Sequence, residues 1–275
     1  EWFTLIDQPA TGRFFEGQNG ERNNTGLFNV ADRPYRDMWQ EMLQAHLDVY
    51  PVWFGAKAPW VFDDPRYNGK GSGTRSYSIG RPIAKIETNA RQDGYPLRPP
   101  ERISSARLVM GSDAEGLEAS FKGAWDDRNL YLLVTIRDAS PMSNKEKGEW
   151  IWNGDGIEIF LGAESIDKGG PMLFTDRQIL VSGAKSDVTF VPKDVKKLAV
   201  KSAVEASADG KGYVIEVAVP WALVDYSPKA GDTVLFDLAI DDAPAGGSRV
   251  RQLMWNGSQR NSSDRSAWGR LTLVP

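Results

Sequence analysis

A mainly β fold, an antiparallel sandwich over residues 76–275, is what the sequence predicts, and three observations predict it. Short apolar runs recur from about residue 76 onward, separated by Gly, Pro, Asp and Asn, and many short strands between turn signals pack as two sheets. Within a run the side chains alternate: Leu130, Leu132, Val134 and Ile136 take one face, Tyr131, Leu133, Thr135 and Arg137 the other. That is the period of a half-buried strand. Helical periodicity is almost absent from this region.

Residues 1–31 read as an apolar strand, WFTLI, then a loop rich in Gly, Asn, Arg and Glu, then the short apolar piece LFNV. A loop of that length points to function. Asp32 and Pro34 open a helix on which Tyr35, Met38, Trp39, Met42, Ala45, His46 and Val49 recur at helical spacing until Pro51, since Pro suits a first turn and stops an interior one. Aromatic-rich residues 52–67 lead into NGKGSGTRS, a linker-like stretch that divides residues 1–70 from a domain over 71–275. Strands are expected at 105–110, 117–125, 129–137, 156–162, 173–182, 187–191, 198–205, 212–219, 233–241, 249–255 and 270–274. A short helix is expected at Pro220, where PWALV follows the strand GYVIEVAV.

Composition excludes several classes of function. With 33 basic and 37 acidic residues, net charge −4 and no dense Lys/Arg run, a nucleic-acid partner is not expected. There is no cysteine, hence no disulfide and no thiolate metal site. The longest apolar runs are strand-sized, so no membrane span is expected. The opening EWFTLIDQP lacks the basic start and apolar core of a signal peptide, so an export signal is expected upstream or already removed.

No catalytic set emerges. His46 is the only histidine and lies on the apolar stripe of its helix, where a packed imidazole is expected and not a base or ligand. Neither a Ser-His-Asp set nor a zinc site is available, and no pair of carboxylates stands out for glycoside hydrolysis. The Gly-rich stretches 69–73 and 245–248 lack a strand–loop–helix context and read as a linker and a turn. Asp126/Asp127 and Asp241/Asp242 offer hard oxygen ligands for a structural calcium ion, although turn-forming Asp at strand ends is favoured. Most of the ten tryptophans are expected in the core.

One constellation points to a ligand. In EWIWNGDGIEIFLG, Ile157, Ile159 and Leu161 share a face, so Glu158 must point to the other, beside Phe160. Trp152 sits just upstream in a Gly/Asn/Asp turn. A flat aromatic beside a fixed carboxylate suits a ring that carries hydroxyls.

The segments AWDDRNLYLLVTIRD, WNGDGIEIFL, DRQILV, GYVIEVAVPWALV, VLFDLAIDDA and QLMWNGS…SAWGRLTL, in this order, resemble the family nine carbohydrate-binding modules, a β-sandwich group related to DOMON domains, over residues 80–275. The resemblance implies a sugar end held between two tryptophans, with a strand glutamate, an arginine and amide or acid side chains on its hydroxyls. Trp152 matches the first clamp tryptophan, Glu158 the strand glutamate and Asp242 the late-strand acid. Leu180 stands where the family arginine is expected, and Ser262 where the second tryptophan is. Arg260, Asn261 and Trp255 are the candidates to compensate. A DOMON-like haem domain is a weaker alternative, because the sandwich region has no histidine to serve as an axial ligand.

WFTLIDQPATGR and NNTGLFNVADRPYRDMWQEMLQAHLDVY resemble the last strand, loop and helix of the catalytic (β/α)8 barrel in agarase-like glycoside hydrolases of family fifty. The resemblance implies that Trp2, Asp7, Gln8 and Arg13 lie near sugar subsites, and that the catalytic glutamates belong to barrel strands absent from this chain. The expectation is therefore a non-catalytic module of a secreted or periplasmic polysaccharide-degrading enzyme. Its partners would be a polysaccharide or oligosaccharide, with agar-type galactan favoured, and the missing barrel portion. The alternative is the C-terminal part of an active hydrolase in which the sandwich is only a brace. No cofactor is expected other than calcium.

Overall fold

The computed structural model describes residues 74–191 and 199–275. Trp2, Asp7, Gln8, Arg13, His46 and the expected barrel tail lie outside the described residues.

Thirteen strands run in chain order among the described residues: β1 (Ser76–Ile79), β2 (Glu101–Ile103), β3 (Leu108–Met110), β4 (Glu118–Trp125), β5 (Asn129–Arg137), β6 (Gly156–Gly162), β7 (Arg177–Ser182), β8 (Val188–Val191), β9 (Lys201–Ala206), β10 (Tyr213–Pro220), β11 (Thr233–Asp242), β12 (Arg251–Met254) and β13 (Gly269–Leu273). They form two sheets. One has the order β2-β4-β5-β10-β9. The other runs β1-β13-β11-β6-β7-β8, with β12 pairing both β11 and β3. All named pairings are antiparallel except β1 with β13. This is the expected sandwich.

The β4–β5 turn shows why the strands end where they do. Asp126 Oδ1 accepts the N–H groups of Arg128 (2.8 Å) and Asn129 (2.7 Å), an Asx cap that reverses the chain. The two sheets then meet through inward residues. The Phe121 ring of β4 lies 5.6 Å from Phe236 of β11 and 5.5 Å from Trp255, edge to face with the latter. Each such side chain contributes roughly 1.5–3 kcal/mol through its removal from water.

Three local expectations change. The strand expected from residue 173 starts at Arg177, because Asp176 Oδ2 accepts the Leu173 N–H (2.7 Å) and closes a turn. Residues 105–107 form a 3-10 turn whose buried Arg107 donates to the carbonyls of Met254 (3.1 Å) and Asn256 (2.6 Å). The helix at Pro220 is one 3-10 turn, Trp221–Val224, ended by Asp225 at φ 53°. Strands β1 and β2 had no signal of their own; β1 borrows its order from the register Ser76↔Arg270 with β13.

Candidate functional site

The larger sheet has a polar outer face around a small apolar cluster of Phe160, Leu235, Ala239, Met254 and Trp268. Strand alternation puts it there: Ile157 and Ile159 point into the core, so Glu158 and Phe160 point out. Glu158 faces Ala239 of β11 on one side and Leu180 of β7 on the other. The 3-10 turn Gly148–Asn153 leads into β6 and hangs Trp152, half-buried, beside it. Between them opens a cleft of 440 Å³ that reaches Gln178, Arg249, Gln252 and Ser262.

Two carboxylates share one cation at its base. Arg249 Nη1 donates to Glu158 Oε1 (2.8 Å) and Asp241 Oδ1 (2.7 Å). Gln252 Nε2 donates to the same two oxygens, each at 2.9 Å, and Gln178 Nε2 donates to Glu158 Oε2. Burial raises the Asp241 carboxyl well above the ordinary carboxylate range, the Glu158 charge adds to the rise, and Arg249 and Gln252 oppose it. For Arg249, burial acts downward, but the charges and hydrogen bonds of Asp241 and Glu158 hold its pKa above the usual value. Its guanidinium carbon also lies 4.7 Å from the centre of the Trp152 ring, a cation–π distance. The result is a fixed planar donor, two acceptors and an indole in one opening.

The expected residues divide. Trp152 and Glu158 come together in the cleft, and Leu180 and Ser262 line it as well. Asn261 also reaches the cleft, but its amide donates to the buried Asp237 Oδ2 (2.8 Å) and its Oδ1 accepts the Ser258 N–H (3.0 Å). Trp255 belongs to the core: Gln252 and Met254 take the outer face, Leu253 and Trp255 the inner one. Its indole N–H donates to Glu101 at 3.0 Å. Arg260 is exposed and pairs with Asp264 at 3.5 Å, away from the cleft lining.

Asp242 is also a correction. Adjacent strand residues point to opposite faces, so Asp241 enters the cleft network while Asp242 turns toward Asp138 and Asp155. Candidate ligand oxygens of these three buried acids lie within 4.8 Å of one another. Asp155 Oδ1 accepts the Ala243 N–H (2.7 Å) and Oδ2 the Ser143 N–H (2.6 Å). Burial nevertheless pushes its pKa up to about 7. Asp242 Oδ2 accepts from Arg251 Nε (2.6 Å), while its buried Oδ1 has no hydrogen-bond partner. The pairs read in the sequence therefore do not act as pairs: Asp126 caps a turn, Asp127 meets Arg81 at 2.7 Å on the surface, and Asp241 and Asp242 serve different clusters.

Sequence reasoning missed Arg249, Gln178 and Gln252, and it named Asp241 only as a calcium candidate paired with Asp242. The signal was available in the hairpin: with a turn at 245–248, strand pairing sets Asp241 against Gln252 and Asp242 against Arg251, which brings Arg249 back over the start of β6. Leu180 pairs with Glu158 from β7, and the arginine that reaches Glu158, Arg249, follows β11 on its other side.

Comparison with known proteins agrees with this architecture. The family model "Carbohydrate family 9 binding domain-like" matches residues 99–275. An exoglucanase XynX of Acetivibrio thermocellus is 34% identical over 214 residues, 75% of this chain and 17% of that protein. An endo-1,4-beta-xylanase A of Thermotoga neapolitana is 32% identical over 178 residues, 63% of this chain and 16% of that protein. The chain thus spans about a sixth of the length of these relatives. A family 9 module from Caldicellulosiruptor kristjanssonii, solved with cellotriose, superposes with a TM-score of 0.59 at 17% identity, covering 73% of this chain and 94% of that one. The same module with glucose gives 0.59 at 18% identity, over 72% and 95%. The chain belongs to the carbohydrate family 9 binding domain-like family.

Proposed function

We propose that residues 74–275 bind a neutral oligosaccharide or polysaccharide end and act by binding, not by chemistry, holding an attached glycoside hydrolase on its polymer. The observation that carries this reading is the Trp152 indole beside the Glu158–Arg249–Asp241 network in one open cleft. The indole offers a flat apolar contact for the CH face of a pyranose. The charged groups are the stronger hydrogen-bonding partners for its hydroxyls. Tethering raises the effective substrate concentration, so modest affinity suffices.

Charge supports a neutral sugar. Among the described residues Arg249 is the only cation lining the cleft, and two carboxylates already engage it. Among the described residues, a sulfate or uronate would meet Glu158 beside a cation that two carboxylates already hold. The relatives are named as xylanases and an exoglucanase, and the module of similar fold was solved with cellotriose and glucose. These names favour β-linked glucan or xylan over the agar-type galactan expected from the barrel-tail resemblance. Because such a polymer cannot enter a cell, this reading has the module act outside it.

The Asp138–Asp155–Asp242 group is the second part of the reading: it holds a calcium ion that fastens the loop before β6 to the end of β11. The partnerless Asp242 Oδ1 supports this, since a buried carboxylate oxygen is costly without a partner and a hard cation supplies one.

Isothermal titration against cello-, xylo- and agaro-oligosaccharides tests the sugar site. Cello- or xylo-oligosaccharides should bind, and Trp152→Ala should weaken them by about 1–2 kcal/mol. Unchanged binding in that variant would overturn the site, and failure of every glycan to bind would leave the bracing role.

A further inference from the structure

We propose that the smaller sheet carries a second binding cleft, for a saccharide that bears a carboxylate, on the side of the sandwich opposite the Trp152 cleft. Strand alternation creates it. Leu130 and Leu132 of β5 point into the core, so Tyr131 points out. Tyr131 pairs with Ala218 of β10, and Ala218 pairs with Lys201 of β9. A half-buried ring, a methyl group and an ammonium thus follow one another across three strands. The small alanine leaves room between its larger neighbours, and a cleft of 760 Å³ opens there, lined by these three residues together with Arg81, Lys85 and Arg128.

The walls are fixed in advance. One wall is the segment that follows β1, which folds back on itself where the Ile83 N–H donates to the Gly94 carbonyl (2.9 Å). Glu216 of β10 is fully buried and holds this loop: its Oε2 accepts the N–H groups of Asn89 (2.7 Å) and Ala90 (2.8 Å), and its Oε1 the Tyr95 hydroxyl (3.1 Å). A buried carboxylate is costly unless its oxygens are met, and these partners all belong to the loop, so the wall is set before any ligand arrives. On the other side the Tyr131 hydroxyl donates to Asp126 Oδ2 (2.8 Å) and accepts from Asn129 Nδ2 (3.1 Å), which holds the ring by its polar end.

Charge selects the ligand. The chain as a whole carries net charge −4, yet this cleft sets Arg81, Lys85, Arg128 and Lys201 against Glu87 and Asp126. The Asp126 carboxylate is already occupied by its turn and by Tyr131, Glu87 pairs with Lys85 at 2.5 Å, and Arg81 pairs with Asp127 at 2.7 Å. No ion pair among the described residues engages Arg128 or Lys201. The Trp152 cleft has the reverse balance, its cation held by two carboxylates. A pyranose with a carboxylate meets both features of the second cleft: its anion faces Arg128 and Lys201, and its CH face lies on Tyr131 and Ala218.

The test is titration calorimetry on the full chain with glucuronic acid and trigalacturonate, against glucose and cellotriose, in the Trp152→Ala background. The uronates should bind there and the neutral sugars should not. Arg128→Gln and Lys201→Gln should each weaken uronate binding by about five- to tenfold. Both side chains are exposed, and Asp126 accepts the main-chain N–H of Arg128, so the fold and the turn survive these changes. Absence of uronate binding, or binding unchanged in the two glutamine variants, overturns the proposal. Uronate binding that is present in the parent and lost in Trp152→Ala assigns the ligand to the other cleft, which overturns the second cleft and leaves the first standing. Neutral sugars that bind the Trp152→Ala chain as tightly as the uronates overturn the selection by charge. A second readout is acetic anhydride labelling mapped by mass spectrometry: trigalacturonate should protect Lys201 and cellotriose should not. Full labelling of Lys201 under saturating trigalacturonate overturns the site.

Discussion

Arg249 is the residue on which the cleft turns. Its Nη1 reaches Glu158 at 2.8 Å and Asp241 at 2.7 Å while its plane lies over Trp152. A lysine would keep the charge but lose the planar, multiply donating head that meets two acceptors and an indole together. Arg249→Lys should therefore weaken oligosaccharide binding by about 1–2 kcal/mol with little change in melting temperature. Arg249→Ala should also lower the melting temperature, because it leaves the buried Asp241 without its cation and with only Gln252 donating to it. Equal binding by parent and lysine variant, measured by calorimetry, would show that the planar head has no part in the site. Glu158 was legible as an outward carboxylate from strand alternation alone. Arg249 was legible only through the register of the hairpin around residues 245–248, because no local pattern points it at β6.

Strand β11 is the element that connects the cleft to the rest of the sheet. Its outward residues Asp237, Ala239 and Asp241 run beneath the site, and Asp237 holds the wall: it accepts the N–H groups of Leu238, Asn256 and Gly257 and the Asn261 amide. Burial raises its pKa to about 6 from 3.8, and those four donors oppose the rise. The sign follows from linkage. A carboxyl with a raised folded pKa adds stability that is complete below the unfolded value and is lost as pH rises through the folded value. Asp237→Asn cannot titrate, and its NH₂ would face donors, so it should be less stable than the parent by about 1–3 kcal/mol near pH 4. The gap should narrow between pH 4 and pH 6 as the parent ionises. Urea melts at several pH values check this, and a gap that widens with pH would refute it. Trp255 teaches the same lesson about elements: beside Met254 it looked available to a ligand, but the alternation of β12 sends it inward against Phe121 and Phe236.

At the scale of the whole molecule, the sandwich leaves the Glu158–Arg249 cleft on the outer face of one sheet and the acid cluster at the sheet's end. The acid cluster joins the loop before β6, the segment after β5 and the end of β11. A cation there would bind the folded state and not the unfolded one. Calcium at a hundredfold excess over its Kd should add about 2.7 kcal/mol, and a chelator should remove that increment. Asp242→Ala should abolish the response to calcium without abolishing oligosaccharide binding, as read by thermal melting and calorimetry in parallel. A calcium increment that persists in that variant would place the ion elsewhere.

The sequence by itself determined the sandwich, eleven of its strand positions to within a few residues, the outward direction of Glu158 and the presence of Trp152 at its side, because each rests on period-2 alternation and turn chemistry within one short segment. Strands β1 and β2 escaped it, since three or four residues that borrow their order from a distant partner carry no period of their own. Only the tertiary structure decided which arginine reaches Glu158, that Asp241 and Asp242 part company, and that Trp255 is core. Those outcomes depend on pairing between segments distant in the chain, and register across a sheet is set by the whole set of packed faces together.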